Sequence, residues 1–350
     1  MAETAMQYDI IIIGAGPAGA TLARLLDKCY KVAVVDKKSE TGGFHKPCGG
    51  LLAPDAQKAL AVHNLALPAS ILVDPQIFAV KTLDLNSGLI RYYQRFYLNL
   101  DRQRFDLWLI SLIPEERDRY IDKCVKIEKT DKGFLVTLAS GTVLAGRVLV
   151  GADGAESIVR RSFFKHKPES YITIQQWFKH DKVEPLYSAI FDSTLTPSYA
   201  WTVAKDGWFI FGAALKRRGC REKFSQLKKK LEGYGYSFDG LERTEACKVD
   251  CPLSQKDIIA GTTDLYFVGE AGGLISPSSL EGISYAIDSA TMLAGALNKG
   301  LDGAFKRYRR CYFFLRIKLF IKKLKMPFMY NRFLRWLVMK TGISSIKPVK

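Results

Sequence analysis

Two hydrophobic spacings recur along this chain, and both appear within its first 36 residues. Residues 10–13 are an unbroken isoleucine run, the pattern of a short strand buried on both faces. Leu22, Leu25 and Leu26 follow at helical spacing, and Lys31–Val35 is a second apolar run ending in Asp36. Farther on, a short helix is predicted from Pro54, and Ile77–Leu85 and Leu89–Leu98 alternate as half-buried strands. Asp101–Leu112 reads as a helix with Phe105, Leu109 and Leu112 on one face. Ile121–Glu128, Gly133–Ala139 and Thr142–Leu144 read as a β-meander turning at Thr130–Lys132 and at Ser140 and Gly141. Residues 171–214 hold three or four aromatic-rich strands, Arg221–Tyr234 a helix with a basic face, and Thr244–Asp250 a returning strand.

Glycines punctuate three strand-to-helix junctions. In the first, Gly14 makes a tight turn, Gly16 admits a pyrophosphate to the backbone, and Gly19 lets helix and strand approach. The helix N-terminus offers unpaired N–H groups to phosphate, and Asp36 is placed to hold a ribose 2′-OH, which disfavours a 2′-phosphate. This junction alone fits FAD and NAD equally. The second junction carries Asp153 and Gly154 after an apolar run at 148–150; the third carries Gly269 and Glu270, with a helix beginning near Gly282.

Composition narrows the class. With 350 residues, 48% of them hydrophobic and 25% charged, the chain reads as globular, with a core large enough for two lobes. Seven cysteines without CxxC pairs point to free thiols in a reducing compartment, so Cys247 and Cys251 are read as unpaired. Four histidines without ligand spacing give no metal site, and no signal peptide or uncharged span of transmembrane length is evident. The net charge of +17 is concentrated in residues 301–350, where 14 Lys and Arg face one acid, Asp302.

The three junctions, in this order and separation, resemble the superfamily of FAD-dependent aromatic hydroxylases and geranylgeranyl reductases over roughly residues 8–298. The resemblance selects FAD. It implies an α/β fold in which a discontinuous Rossmann-like FAD domain (1–75, 100–165 and 262–300) carries an inserted mixed-sheet substrate domain (76–99 and 166–261), followed by a helical tail (301–350). Pro47-Cys48-Gly49-Gly50 and the Arg102-x-x-Phe105-Asp106-x-x-Leu109 pattern are similar to the geranylgeranyl reductase branch. Tyr199 and Trp201 resemble the start of its substrate-cavity motif, with Val203-Ala204 replacing Phe-Pro. Glu270 stands where most relatives carry Asp. Cys48–Gln57, Ile174–Phe178 and Ser279–Ala290 resemble the bacterial CbrA proteins; the signature of the halogenase branch is missing.

What the resemblance implies is an oxidoreductase reducing C=C bonds of a polyprenyl lipid, with electrons from NAD(P)H or a redox protein. The alternatives are a monooxygenase of an aromatic or quinone substrate and a flavin-binding protein without turnover. Expected FAD contacts are Gly14, Gly16, Ala18, Gly19, Asp36, Lys37, Cys48, Gly49, Gly50, Arg102, Val125, Asp153, Gly154, Gly269, Glu270, Gly282 and Ile283. Cys48 is the candidate catalytic residue, His45 a candidate proton relay, and Tyr199 and Trp201 candidate cavity residues. The basic, aromatic tail is expected to lie on an anionic membrane surface, on the cytoplasmic face, rather than on nucleic acid. On a helical wheel the charges of 306–325 spread too widely for one clean apolar stripe. Residues 331–340 set Phe333, Leu334, Leu337 and Val338 opposite Arg332, Arg335 and Lys340.

Overall fold

A computed structural model describes residues 6–38, 46–179 and 186–346; His45 lies outside them. The chain begins β1 (Met6–Ile13), α1 (Pro17–Leu25), β2 (Val32–Asp36), β3 (Leu51–Leu52), α2 (Pro54–Ala61), β4 (Ile77–Asp84), β5 (Leu89–Asn99) and α3 (Arg102–Ser111). It continues through β6 (Asp118–Ile121), β7 (Cys124–Thr130), β8 (Gly133–Leu138), β9 (Val143–Gly151) and α4 (Ile158–Phe163). Next come β10 (Ser170–Lys179), β11 (Tyr187–Phe191), β12 (Ala200–Lys205), β13 (Trp208–Leu215), α5 (Cys220–Glu232) and β14 (Leu241–Asp250). The last stretch is β15 (Gly261–Thr262), β16 (Leu265–Phe267), α6 (Ile283–Leu297), α7 (Ala304–Leu324), α8 (Met326–Tyr330), α9 (Arg332–Thr341) and β17 (Ser345–Ile346).

Two sheets result, giving the mixed α/β architecture with C-terminal helices that the resemblance implies. The first runs β15-β16-β9-β1-β2-β6, with β7 and β8 extending from β9. Strands β16, β9, β1, β2 and β6 are mutually parallel. The isoleucine run is unbroken because β1 is covered twice. Ile10 and Ile12 face α1, α3, α6 and α7, whereas Ile11 and Ile13 pack with Phe134, Val159 and Phe267 on the other side. The second sheet runs β14-β10-β13-β12-β11-β4-β5-β17 and is antiparallel except at β11–β4. One face packs on α5 through Phe211, Phe224 and Leu227; the other turns Tyr187, Tyr199 and Trp201 toward the first sheet's loops.

The meander differs from expectation. Ile121–Glu128 is two strands, because β6 leaves to pair with β2 while β7 pairs with β8. Thr142–Leu144 is the start of β9, one continuous strand that pairs with β8 and then with β1.

The tail differs more. α7 does have a clean buried stripe, Tyr308, Tyr312, Leu315 and Leu319, spaced four, three and four residues apart. A second apolar stripe, Phe313, Ile317, Phe320 and Leu324, has the same spacing and is exposed. At 100° per residue the two stripes fall on opposite sides of the helix, so no single stripe stands out in the sequence. In α9 the apolar residues Phe333, Leu337 and Val338 lie on an exposed face, but Arg335, grouped by the sequence with the solvent-facing bases, is buried with Met339. The reason is electrostatic: Arg335 Nη2 lies 2.8 Å from buried Asp84 Oδ1 and 2.9 Å from Asn86 Oδ1.

Candidate functional site

The glycine turn between β1 and α1 is shaped by contact, not only by torsion. Gly14 has φ +102°, and a Cβ there would lie 2.5 Å from the Ala152 carbonyl oxygen; one on Gly19 would lie 1.8 Å from the Gly14 oxygen. No side chain caps α1, so its first-turn amides at Ala18 and Gly19 are left for a ligand, with Gly16 at the N-cap. Asp36 ends β2, and its carboxylate accepts from the Ala15 and Lys38 amides. Lys37 is exposed beside it. Two cations reinforce the α1 end. Lys38 Nζ and Arg102 Nε lie 2.9 and 2.8 Å from the two oxygens of Asp106, and Lys38 Nζ borders Gly16. Burial alone would raise the Asp106 carboxyl, but Arg102 and Lys38 outweigh it and hold it below the usual carboxylate range. This cluster, one acid between two bases, leaves net positive charge for a pyrophosphate.

The second and third junctions meet at one corner. Asp153 Oδ2 accepts from the Ile158 amide at 2.7 Å, capping α4, while its Oδ1 is buried without a partner. Gly154 faces Glu270, whose Oε2 pairs with Lys46 and whose Oε1 accepts from the Asp250 amide at 3.0 Å. Gly269 donates to Ser289 Oγ on α6. Burial and the neighbouring Glu270 charge push Asp250 up to about 7. Two buried tyrosines of α7 hold this loop from behind: Tyr308 donates to the Phe267 carbonyl and Tyr312 to those of Ile259 and Gly272. Gly282 is the N-cap of α6 and Ile283 its first residue, with Glu281 accepting from the Ser284 amide. Leu280, just before, has φ +53°, a strain of about 1–3 kcal/mol of the kind found where a loop serves a ligand.

The Cys48 loop spans the gap between these junctions and the second sheet. Cys48 Sγ accepts from the Gly50 amide at 3.4 Å. Gly50 has φ +62°, and a Cβ there would strike the Leu100 oxygen and Lys205 Nζ. Lys205 is buried and pushed down to about 8 by that burial; it donates to the Gly50 and Leu100 carbonyls and to Asn99 Oδ1. Gly49 lies against the Trp201 indole, whose Nε1 is buried and unpartnered. Tyr199 donates to the Ser279 carbonyl at 2.7 Å and packs beside Trp201. Tyr97, Tyr187, Leu280 and, from α8, Met326 complete this aromatic wall. Val203 and Ala204 are buried within β12, immediately before the lysine that pins the loop.

The structure therefore brings the three junctions, Arg102 and the Cys48 loop to one cleft, with Tyr199 and Trp201 on its far side. Val125 is set apart, an exposed bulge residue of β7. Cys247 and Cys251 are free thiols, and Cys247 Sγ contacts the Pro47 carbonyl of the same loop. Lys38, Lys46, Lys205 and Asp250 are site residues that sequence reasoning missed. Asp106 stood in the quoted motif, but Lys46 and Lys205 find partners 224 and 106 residues away, where no spacing rule reaches. A cavity of about 700 Å³ near Gln7, Lys31 and Lys132 lies where the parallel strands begin, the end opposite to ligand sites in such sheets. No group of three or more potential metal ligands occurs among the described residues.

Comparison with known proteins places this geometry. Residues 12–46 match a NAD(P)-binding Rossmann-like domain. The fold is that of FAD-dependent oxidoreductases. A geranylgeranyl bacteriochlorophyll reductase-like protein of Thermoplasma acidophilum superposes with TM-score 0.77 over 97% of this chain and 88% of its own, at 17% identity. PqsL of Pseudomonas aeruginosa, a probable FAD-dependent monooxygenase, superposes with TM-score 0.69 over 96% and 100%, at 19% identity. CbrA of Escherichia coli O6:H1 is 43% identical over 98% of this chain and 96% of its own length. At that identity and coverage, the chain belongs to the CbrA family.

Proposed function

We propose that this chain is an FAD-dependent reductase of carbon–carbon double bonds in a polyprenyl lipid, drawing electrons from NAD(P)H or a redox protein. The observation that carries the reading is the position of Cys48. Gly49 beside it lies against the Trp201 indole, and Lys46 on the same loop pairs with Glu270 at the third junction, so one loop touches both halves of the cleft. The residues fit FAD. The α1 amides with Lys38 and Arg102 would hold the pyrophosphate, and Asp36 the ribose. Asp153, whose buried Oδ1 has no partner, Glu270 and the α6 N-terminus would hold the flavin side. Bound and reduced, FAD supplies a hydride. The chain's own part is to order an apolar chain against Trp201 and Tyr199, exclude water, and present the Cys48 thiol as proton donor at the mouth of the aromatic wall. The likeness to the Thermoplasma reductase-like protein supports this chemistry, and the PqsL likeness supports the alternative, oxygen insertion into an aromatic or quinone substrate.

The deciding experiment is anaerobic. The purified protein is loaded with FAD, reduced with dithionite, and mixed with polyprenyl phosphates and geranylgeranyl lipids. Flavin reoxidation with a product heavier by two hydrogens is the expected result. Reduced flavin that persists with every lipid, but oxidises rapidly in air with an aromatic substrate, would replace the reductase with the monooxygenase. A flavin that no donor but dithionite reduces and that neither substrate class reoxidises would leave binding without turnover.

A further inference from the structure

The outward side of the C-terminal helices has no intramolecular work to do, yet it is strongly apolar. On α7 the stripe of Phe313, Ile317, Phe320 and Leu324 is backed by Phe314 and Ile321, all exposed. Phe328 of α8 and Phe333, Leu337 and Val338 of α9 extend it. This exposure is specified. Tyr308 and Tyr312 fix the inner side of α7 by hydrogen bonds to the loop behind the site, and the buried Arg335–Asp84 pair fixes the rotation of α9. Neither helix can roll its apolar side inward without stranding a buried polar group.

Charge identifies the occupant. Lys306, Arg310, Lys325 and Arg332 have no carboxylate partner among the described residues and border the same surface. A second copy docked here would bring one strongly basic tail against another. Nucleic acid would leave Ile317, Leu324, Leu337 and Val338 with nothing to bury against. An anionic bilayer satisfies both features, taking apolar side chains into the acyl boundary while lipid phosphates face the bases.

We propose that the outer sides of α7, α8 and α9 form the surface by which this protein docks on anionic lipid bilayers, the helices lying in the plane of the interface. α8 then has two roles. Its outer residue Phe328 meets lipid, while Met326 packs with the aromatic wall and Tyr330 donates to the Ser278 carbonyl beside it. The docking stands on the tail alone; its use as the entry route for a lipid chain rests on the reductase reading.

Flotation of the full chain with phosphatidylcholine vesicles, with and without phosphatidylglycerol, at low and high salt, tests this. Binding is expected to need phosphatidylglycerol and to weaken with salt. Both Phe313→Ser/Phe320→Ser and Lys306→Glu/Arg310→Glu are expected to weaken it by about tenfold or more, with thermal midpoint and flavin content unchanged. Equal flotation of wild type and the phenylalanine variant overturns the proposal. So does absence of flotation by a chain that elutes as a dimer which that variant dissociates. Vesicle binding by a protein that reduces no polyprenyl lipid would end the reductase reading and leave docking in place; turnover of a soluble short prenyl substrate without vesicle binding would do the reverse.

Discussion

The first glycine junction and helix α9 make an instructive pair. Both carry clear local patterns, and the pattern accounts for the contacts of the first while missing the one that orients the second. At the junction the decisive contacts are between backbone atoms, Gly14 with Ala152 and Gly19 with Gly14, so residue type alone dictates geometry. In α9 the decisive contact joins Arg335 to Asp84, 251 residues away. A hydrophobic wheel assigns arginine to solvent. A buried carboxylate with no other ion-pair partner given for it among the described residues overrides that assignment, because stranding it costs more than exposing three apolar side chains.

The comparison breaks most visibly at its electrostatic end. Arg335→Ala should destabilise the protein by about 3–5 kcal/mol in denaturant titrations, because Asp84 is left buried and unpaired. The double variant Asp84→Leu/Arg335→Met should recover much of that loss. A small effect of Arg335→Ala would mean that α9 is not oriented by this pair.

At the site end, Arg102→Ala should lower FAD affinity by about 10–100-fold, the worth of one charge-assisted contact of about 1.5–3 kcal/mol. Flavin retained on gel filtration reads it directly. Undiminished retention would leave Arg102 as a purely structural partner of Asp106.

The corner between the junctions sharpens the comparison through pH. Asp250 keeps its proton in the fold up to about pH 7 but would lose it near 3.8 when unfolded. Between those values the folded state binds more protons, so this group's contribution to stability falls as pH rises from about 4 to 7. Asp250→Asn should therefore be neutral below pH 4 and stabilising above pH 7. The gain is about 2 kcal/mol, half of what three units imply, since the Lys248 pairing is lost as well. A gain that shrinks with rising pH would refute the assignment. The smallest effect belongs to the outer side of the tail, where Phe320→Ser should change the unfolding free energy in denaturant titrations by no more than the roughly 0.5 kcal/mol typical of surface changes.

How much was legible follows the same division. The β1–α1–β2 unit, α3, the aromatic strands and α6 were readable because their periodicity reflects one burial environment each. β6 and β7 read as one strand because nothing local shows that β6 leaves to pair with distant β2 while β7 pairs with the adjacent β8. α7 hid its stripe by carrying two. Of the site, the glycines, Asp153, Arg102 and Cys48 could be named from motifs. Lys46 and Lys205 could not, being single lysines whose burial is created only when the Cys48 loop meets β12 and Glu270.

Strand β17 gives the tail a further property. Ser345 and Ile346 pair with Tyr93 and Tyr92 at the rim of the second sheet, so the helices that leave the first lobe at α6 are fastened to the second at their far end. α7–α9 thus form a strap buckled at both ends and riveted in the middle by Arg335. A force applied at the far end meets β17 first, while the rivet keeps α8 over the aromatic wall. Loosening the buckle, by Ile346→Pro for instance, would give the cover slack without removing it.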